Sequence, residues 1–118
     1  MWEILERVQS VRGEAVSALS VVTAVELTHG VYRAKTEAHL RRREAFVEEL
    51  YRTVAVYPLT LEIAKLAGRI HGEQMGQGIS IDFPDLLIGA TALHLGFDLV
   101  TLNVRHLQRI PGLNIIPL

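Results

Sequence analysis

Glu26, Asp85 and Asn103 are the polar residues of this chain best placed for chemistry, and all three offer oxygen donors. Glu26 follows an apolar run over residues 18–22, and Asn103 follows another over 98–101. Asp85 stands in the first turn of a predicted helix, Leu86, Leu87, Ile88, Ala90, Ala92, Leu93 and Leu95, that is apolar almost all round and therefore expected to be buried. Ligands of open α/β sheets bind outside the carboxyl ends of the strands. Glu26 and Asn103 are expected to converge on that rim, joined by Asp85 if its helix starts there. Clustered carboxylates repel one another, so such a cluster implies a cation between them. With no cysteine and no helically spaced histidine pair, oxygen donors select Mg²⁺ or Mn²⁺ rather than zinc.

A plainer reading accompanies each acid. A carboxylate in a first helical turn satisfies orphan N–H groups and favours the positive end of the helix dipole, which accounts for Asp85, with Asp82 as N-cap and Pro84 tolerated just inside. Thr23-Ala24-Val25-Glu26 matches a capping box, in which Thr23 caps the helix and Glu26 reaches back to it. Taken alone, both acids read more simply as caps than as ligands.

The elements that must position these residues alternate in type. Residues 2–11 pattern as a short amphipathic helix ended by Gly13, and 18–22 as a buried strand. Thr23 opens a helix that contains Gly30, which hints at close packing or a kink. A second helix spans 37–51, with Leu40, Val47 and Leu50 inward and a Glu37–Arg41 pair on its surface. A strand over 53–57 precedes Pro58, and Thr60 caps a third helix with Ile63, Leu66, Ala67 and Ile70 at helical spacing. His71 in that helix reads as a surface or capping residue. Gly96 is a fitting C-cap for the central helix. A strand over 98–101, a helical turn over 103–107 and a last strand over 113–116 complete the chain. Strands alternating with helices indicate an α/β fold with a parallel sheet covered on both faces.

At 118 residues the chain is expected to be one domain, 1–118. Its hydrophobic fraction of 49% suits a compact core, and no apolar run reaches the ~20 residues of a bilayer span. Nothing resembles a signal peptide, and the absence of cysteine fits a reducing, cytoplasmic setting. The net charge of −1 gives no global attraction to nucleic acid. A nucleic-acid contact would rest on the local concentration Arg33, Lys35, Arg41, Arg42 and Arg43, which the neighbouring Glu44, Glu48 and Glu49 equally allow to be a solvated face. No glycine-rich phosphate loop follows any predicted strand.

Three stretches carry a family resemblance. Val22-Thr23-Ala24-Val25-Glu26-Leu27 with Gly30 resembles the T-x-x-E-L-x-x-G stretch of PIN domains, specifically VapC-type toxins of toxin–antitoxin pairs. The segment from Gly78 through Asp85 to Ala92 is similar to their G-x-x-I-x-x-x-D-x-x-I-A-A-x-A pattern. Val100-Thr101-Leu102-Asn103 with His106-Leu107 and Ile110-Pro111-Gly112 is similar to their V-T-x-N-x-x-[DEH]-F … I-P-G ending. The resemblance implies a three-layer α/β/α fold and an endoribonuclease, in which a quartet of acidic groups holds Mg²⁺ or Mn²⁺ and water attacks an RNA phosphodiester. It also implies a VapB-like antitoxin and a homodimer. Carried over by position, Glu26 and Asp85 are two members of the quartet. The remaining position falls on Asn103, with Thr101 as a supporting hydroxyl and His106 where a later acid stands in the family. Asp82 falls on a non-catalytic position.

The chain departs from the pattern at its start. The resemblance implies a first, central strand bearing an Asp, between the strands over 18–22 and 98–101, yet no Asp precedes Asp82. The expectation is a sheet lacking that strand and a chain that is inactive or weakly active alone. A start codon placed within the gene, a shortened chain, or a natural short form would each account for it. The alternative function is a catalytically deficient PIN-like module that binds protein or RNA.

Overall fold

The computed structural model describes residues 18–101 and 103–117; the predicted helix over 2–11 lies outside them. The chain divides into two compact units, one containing residues 14–58 and the other 59–118.

In the first unit, β1 (Ala18–Ser20), α1 (Val21–Tyr32), α2 (Glu37–Thr53) and β2 (Ala55–Tyr57) follow in order. β1 and β2 pair in parallel, with Ala18 opposite Ala55 and Ser20 opposite Tyr57. Parallel neighbours need a long crossover, and the α1–α2 hairpin supplies it. The helix start differs from the expected one. Ser20 is the N-cap, its backbone is extended, and its hydroxyl accepts from the Val22 N–H at 2.9 Å. The strand therefore stops two residues early, because a serine hydroxyl that caps the following turn ends the extended run. Glu26 then lies in the second turn of α1, too far along to reach the cap, and the capping-box reading of Thr23 and Glu26 falls.

Leu27, Val31, Val47 and Leu50 are buried where α1 meets α2, and Leu40 is half-buried. Two polar contacts join the same helices: Arg43 Nη1 donates to the Gly30 carbonyl at 2.8 Å, and the Tyr51 hydroxyl to the Ala24 carbonyl at 3.2 Å. Thr36 caps α2 through the His39 N–H, and the Glu37–Arg41 pair forms at 2.7 Å on the exposed face. The Thr53 hydroxyl donates back to the Glu49 and Leu50 carbonyls, so α2 keeps Thr53 and β2 starts at Ala55.

The second unit contains α3 (Leu61–Gly76), α4 (Phe83–Leu95), β3 (Leu99–Thr101), α5 (Val104–Leu107) and β4 (Ile115–Pro117). Thr60 caps α3 as predicted, its hydroxyl accepting from the Ile63 N–H. His71 lies half-buried in the body of α3. Gly96 ends α4 in the left-handed conformation at φ +73°, which glycine adopts without a Cβ penalty. β3 and β4 pair in parallel, with Leu99 opposite Ile115. Ile63, Ala67, Ile70, Ile81, Leu86, Ala90, Leu107 and Ile110 form the core. Leu86, Gly89, Ala90, Thr91 and Ala92 are buried and Leu87, Ile88, Leu93 and Leu95 half-buried, which accounts for the all-round apolar pattern of α4. Buried Gln74 donates through Nε2 to the Arg109 carbonyl at 2.7 Å, and Arg109 Nη1 donates to the Ser80 carbonyl at 2.8 Å. These two bonds tie α3, the loop that leads into α4, and the turn after α5.

Among the described residues the strands form two two-stranded parallel sheets, so β1 and β3 have one partner strand each. These short parallel strands among helices agree with the α/β class.

Candidate functional site

Asp85 is brought to its neighbours by the packing of α4 against α5. Pro84 lies in the first turn of α4, and Leu86, one residue beyond Asp85, is anchored in the core. Asp82 occupies the N-cap position as expected, but its side chain makes no capping hydrogen bond; its carbonyl accepts from the Leu86 N–H at 2.9 Å. Asp85 caps nothing either. Its carboxylate turns to the loop after β3, where Oδ2 accepts from Asn103 Nδ2 at 3.3 Å.

Asn103 is itself held. Its backbone N–H donates to the Thr101 hydroxyl at 2.9 Å, which shapes the exit from β3, and Leu107 N–H bonds its carbonyl to start α5. Its side-chain amide reaches His106 Nδ1 at 3.1 Å as well as Asp85. Nδ2 is a donor, and it can bond Nδ1 of His106 in the tautomer that leaves that nitrogen's lone pair free. His106 Nδ1 lies 3.8 Å from Asp85 Oδ2. Asp85, Asn103 and His106 thus form a closed triangle, with Thr101 behind Asn103.

Burial raises the Asp85 pKa above the ordinary aspartate value, and the negative charge of Asp82 raises it further; His106 opposes both. The Asp85 side chain is 18% exposed and that of His106 48%, so the carboxylate is recessed behind a wetter imidazole. Nδ2 of Asn103 is a hydrogen-bond donor with no lone pair for a metal, so in this arrangement the amide links Asp85 to His106, and Asp85 is the charged group of the three that could hold a divalent cation. Among the described residues no group of three or more His, Cys, Asp or Glu side chains gathers, so the triangle contributes one carboxylate, one amide and one imidazole rather than an acidic cluster.

Of the residues singled out from sequence, Asp85, Asn103, Thr101 and His106 belong to one neighbourhood. Glu26 belongs to the other unit, half-buried in α1. The direct Asn103–His106 contact was not foreseen, although their spacing of three residues on a helical turn is the signal for it. Within the basic concentration, Arg43 is engaged with the Gly30 carbonyl and Arg41 with Glu37.

The PIN domain family profile matches residues 3–113. The chain is 34% identical over 98 residues to Ribonuclease VapC1 of Rickettsia felis, covering 83% of this chain and 73% of that protein. It is 36% identical over 101 residues to Ribonuclease VapC19 of Mycobacterium tuberculosis, covering 86% and 74%. The structure of VapBC-1 from nontypeable Haemophilus influenzae superposes with a TM-score of 0.78 at 27% identity, covering 99% of this chain and 85% of that one.

Proposed function

The chain belongs to the PIN-domain family, and from that premise we propose that it is a metal-dependent endoribonuclease of the VapC toxin type, restrained by a VapB-like antitoxin. The observation that carries the reading is the Asp85–Asn103–His106 triangle, a recessed carboxylate in the first turn of α4 held beside an amide and an imidazole. Mg²⁺ or Mn²⁺ bound there supplies charge neutralisation at a phosphodiester and activation of water. Asp85 is the charged ligand. Asn103 orients the Asp85 carboxylate and the His106 ring together, and Thr101 holds Asn103 through its backbone N–H. Glu26, on α1 of the first unit, is proposed as a second acid that the activity requires. The names of the relatives, ribonucleases and a toxin–antitoxin complex, support RNA as substrate and the antitoxin as partner. A homodimer and a cytoplasmic location complete the proposal; among the described residues no helix is long and apolar enough to cross a membrane.

The test is cleavage of a mixed RNA pool by the purified chain with Mg²⁺ or Mn²⁺, with EDTA, and as Asp85→Asn and Glu26→Gln variants. Cleavage that needs the metal and is lost in both variants is the expected result. Tight RNA or antitoxin binding with no cleavage would replace this reading by the binding module. The single carboxylate in the triangle is the observation that favours that second reading.

A further inference from the structure

We propose that Phe83 and Arg105 hold the substrate: the Phe83 ring stacks on an unpaired base, and the Arg105 guanidinium binds a neighbouring phosphate, of single-stranded RNA laid past Asp85. The inference rests on the ribonuclease reading above and names the form of RNA and the groups that position it.

The two residues flank one carboxylate. Phe83 is the first residue of α4, two before Asp85, and is 62% exposed. Residues two apart on a helix do not face each other, so the ring stands beside the carboxylate and leaves it open. Arg105 is the second residue of α5, exposed, next to His106 and two residues beyond Asn103. The contacts of Asp85 with Asn103 at 3.3 Å and with His106 at 3.8 Å fasten the first turn of α4 to the start of α5. Two residues advance a helix by only about 3 Å, so ring and guanidinium each stand within one turn of that contact.

Both groups are also uncommitted. Among the described arginines of the second unit, Arg69 pairs with Glu73 at 3.7 Å and Arg109 donates to the Ser80 carbonyl, whereas Arg105 makes no hydrogen bond or ion pair. A lone exposed apolar or charged residue is ordinary on a protein surface. An open aromatic face and an unpaired cation on either side of a recessed carboxylate are a combination that fits a nucleotide.

The chemistry of each group selects the ligand. A guanidinium presents paired planar donors that match phosphate oxygens, and here it offsets the repulsion of a polyanion by Asp82 and Asp85. An aromatic ring stacks with any base whose face is open. Bases in an A-form duplex are stacked on one another, so a single-stranded stretch is what presents such a face. A protein partner fits less well, because the centre of a protein interface is depleted of charge and exposed Asp82 adjoins Phe83 in the chain.

The experiment measures binding of the full chain to a fluorescein-labelled single-stranded RNA and to its duplex, by anisotropy in EDTA over a range of salt, and KM for cleavage of the same strand with Mg²⁺. Phe83→Ala is expected to weaken single-strand binding about tenfold with the salt slope unchanged. Phe83→Leu should lose as much, and Phe83→Trp, which keeps an aromatic face, should retain wild-type affinity. Arg105→Gln should lower the slope of log affinity against log salt by about 0.7. In cleavage, both Phe83→Ala and Arg105→Gln should raise KM by more than they lower kcat. Thermal melts should match wild type, since both side chains are exposed. If affinity, salt slope and KM of Phe83→Ala and Arg105→Gln equal those of wild type, while Asp85→Asn abolishes cleavage, the inference is overturned and the ribonuclease reading stands. Duplex bound as tightly as single strand, or an unchanged RNA affinity in Phe83→Ala with loss of a dimer on size-exclusion chromatography, also overturns it. If the wild type neither binds nor cleaves RNA, the ribonuclease reading falls and takes the inference with it.

Discussion

Replacing Gly89 by alanine puts a methyl group where Ile110 Cδ1 already is, and the outcome can be worked from the packing around it. An ideal Cβ on Gly89 overlaps Ile110 Cδ1 and comes within 3.4 Å of Leu113 Cδ2. Ile110 is 2% exposed, so its δ-methyl has little space into which to turn. Overpacking of this kind costs about 1–3 kcal/mol. Alanine returns about 1 kcal/mol in helix propensity, since glycine is the poorer residue inside a helix. Gly89→Ala should therefore destabilise by about 1 kcal/mol. Ile110→Val deletes the colliding atom and alone costs about 0.5–1.5 kcal/mol. In the double variant the new methyl occupies the volume left by Cδ1, and stability should return to within about 0.5 kcal/mol of wild type, a coupling of roughly 2 kcal/mol between the two sites. Urea unfolding of the four proteins, followed by far-ultraviolet circular dichroism, completes the cycle. Additive effects within about 0.5 kcal/mol would refute the reasoning and show that Ile110 yields freely. The result bears on function because Gly89 and Asp85 share α4, and Ile110 closes the turn after the α5 helix that carries His106.

Three further outcomes follow from named contacts. Because the folded pKa of Asp85 is raised, the folded chain holds that proton more tightly than the unfolded one; the Asp85 contribution to metal-free stability should be fully present below the ordinary aspartate value of about 3.9 and be lost as pH rises through the raised value. Urea midpoints taken across that range should show the fall in wild type and a shallower one in Asp85→Asn, and identical profiles would contradict the assigned burial and Asp82 repulsion. Ser20→Ala should lose about 0.5–2 kcal/mol through the missing cap, whereas Thr23→Ala should cost clearly less, measured by the same unfolding assay; the reverse order would restore the capping box. Arg43→Ala should cost about 1–2 kcal/mol through the Gly30 carbonyl, while Arg41→Ala, whose ion pair is exposed, should stay within about 0.5 kcal/mol in a thermal melt.

Local chemistry made much of this protein legible from its residues. The Thr60 cap, the Gly96 terminus, the exposed Glu37–Arg41 pair and the buried apolar surround of α4 depend on neighbours a few residues away, so they are written in short stretches of sequence. Asp85 and Asn103 were recognisable because each sits at a fixed offset from an element end. The start of α1 was not, since Ser20 and Thr23 both offer a hydroxyl and only the extended backbone at Ser20, held in register opposite Tyr57, decides between them.

What the tertiary structure alone decided lies between segments distant in the chain. Asp85 and Asn103 are 18 residues apart, and nothing local states that the carboxylate would leave its own helix terminus for that amide. His106 becomes a partner of both because Leu107 and Ile110 are drawn into the core beside Leu86 and Ala90. Gly89 occupies a place where the family pattern carries alanine, and its reason is the Ile110 side chain from the turn after α5. Sequence determined which groups were available, because residue type and local propensity are properties of the chain; packing determined which of them meet, because close contacts between distant segments exist only once the apolar surfaces have been buried against each other.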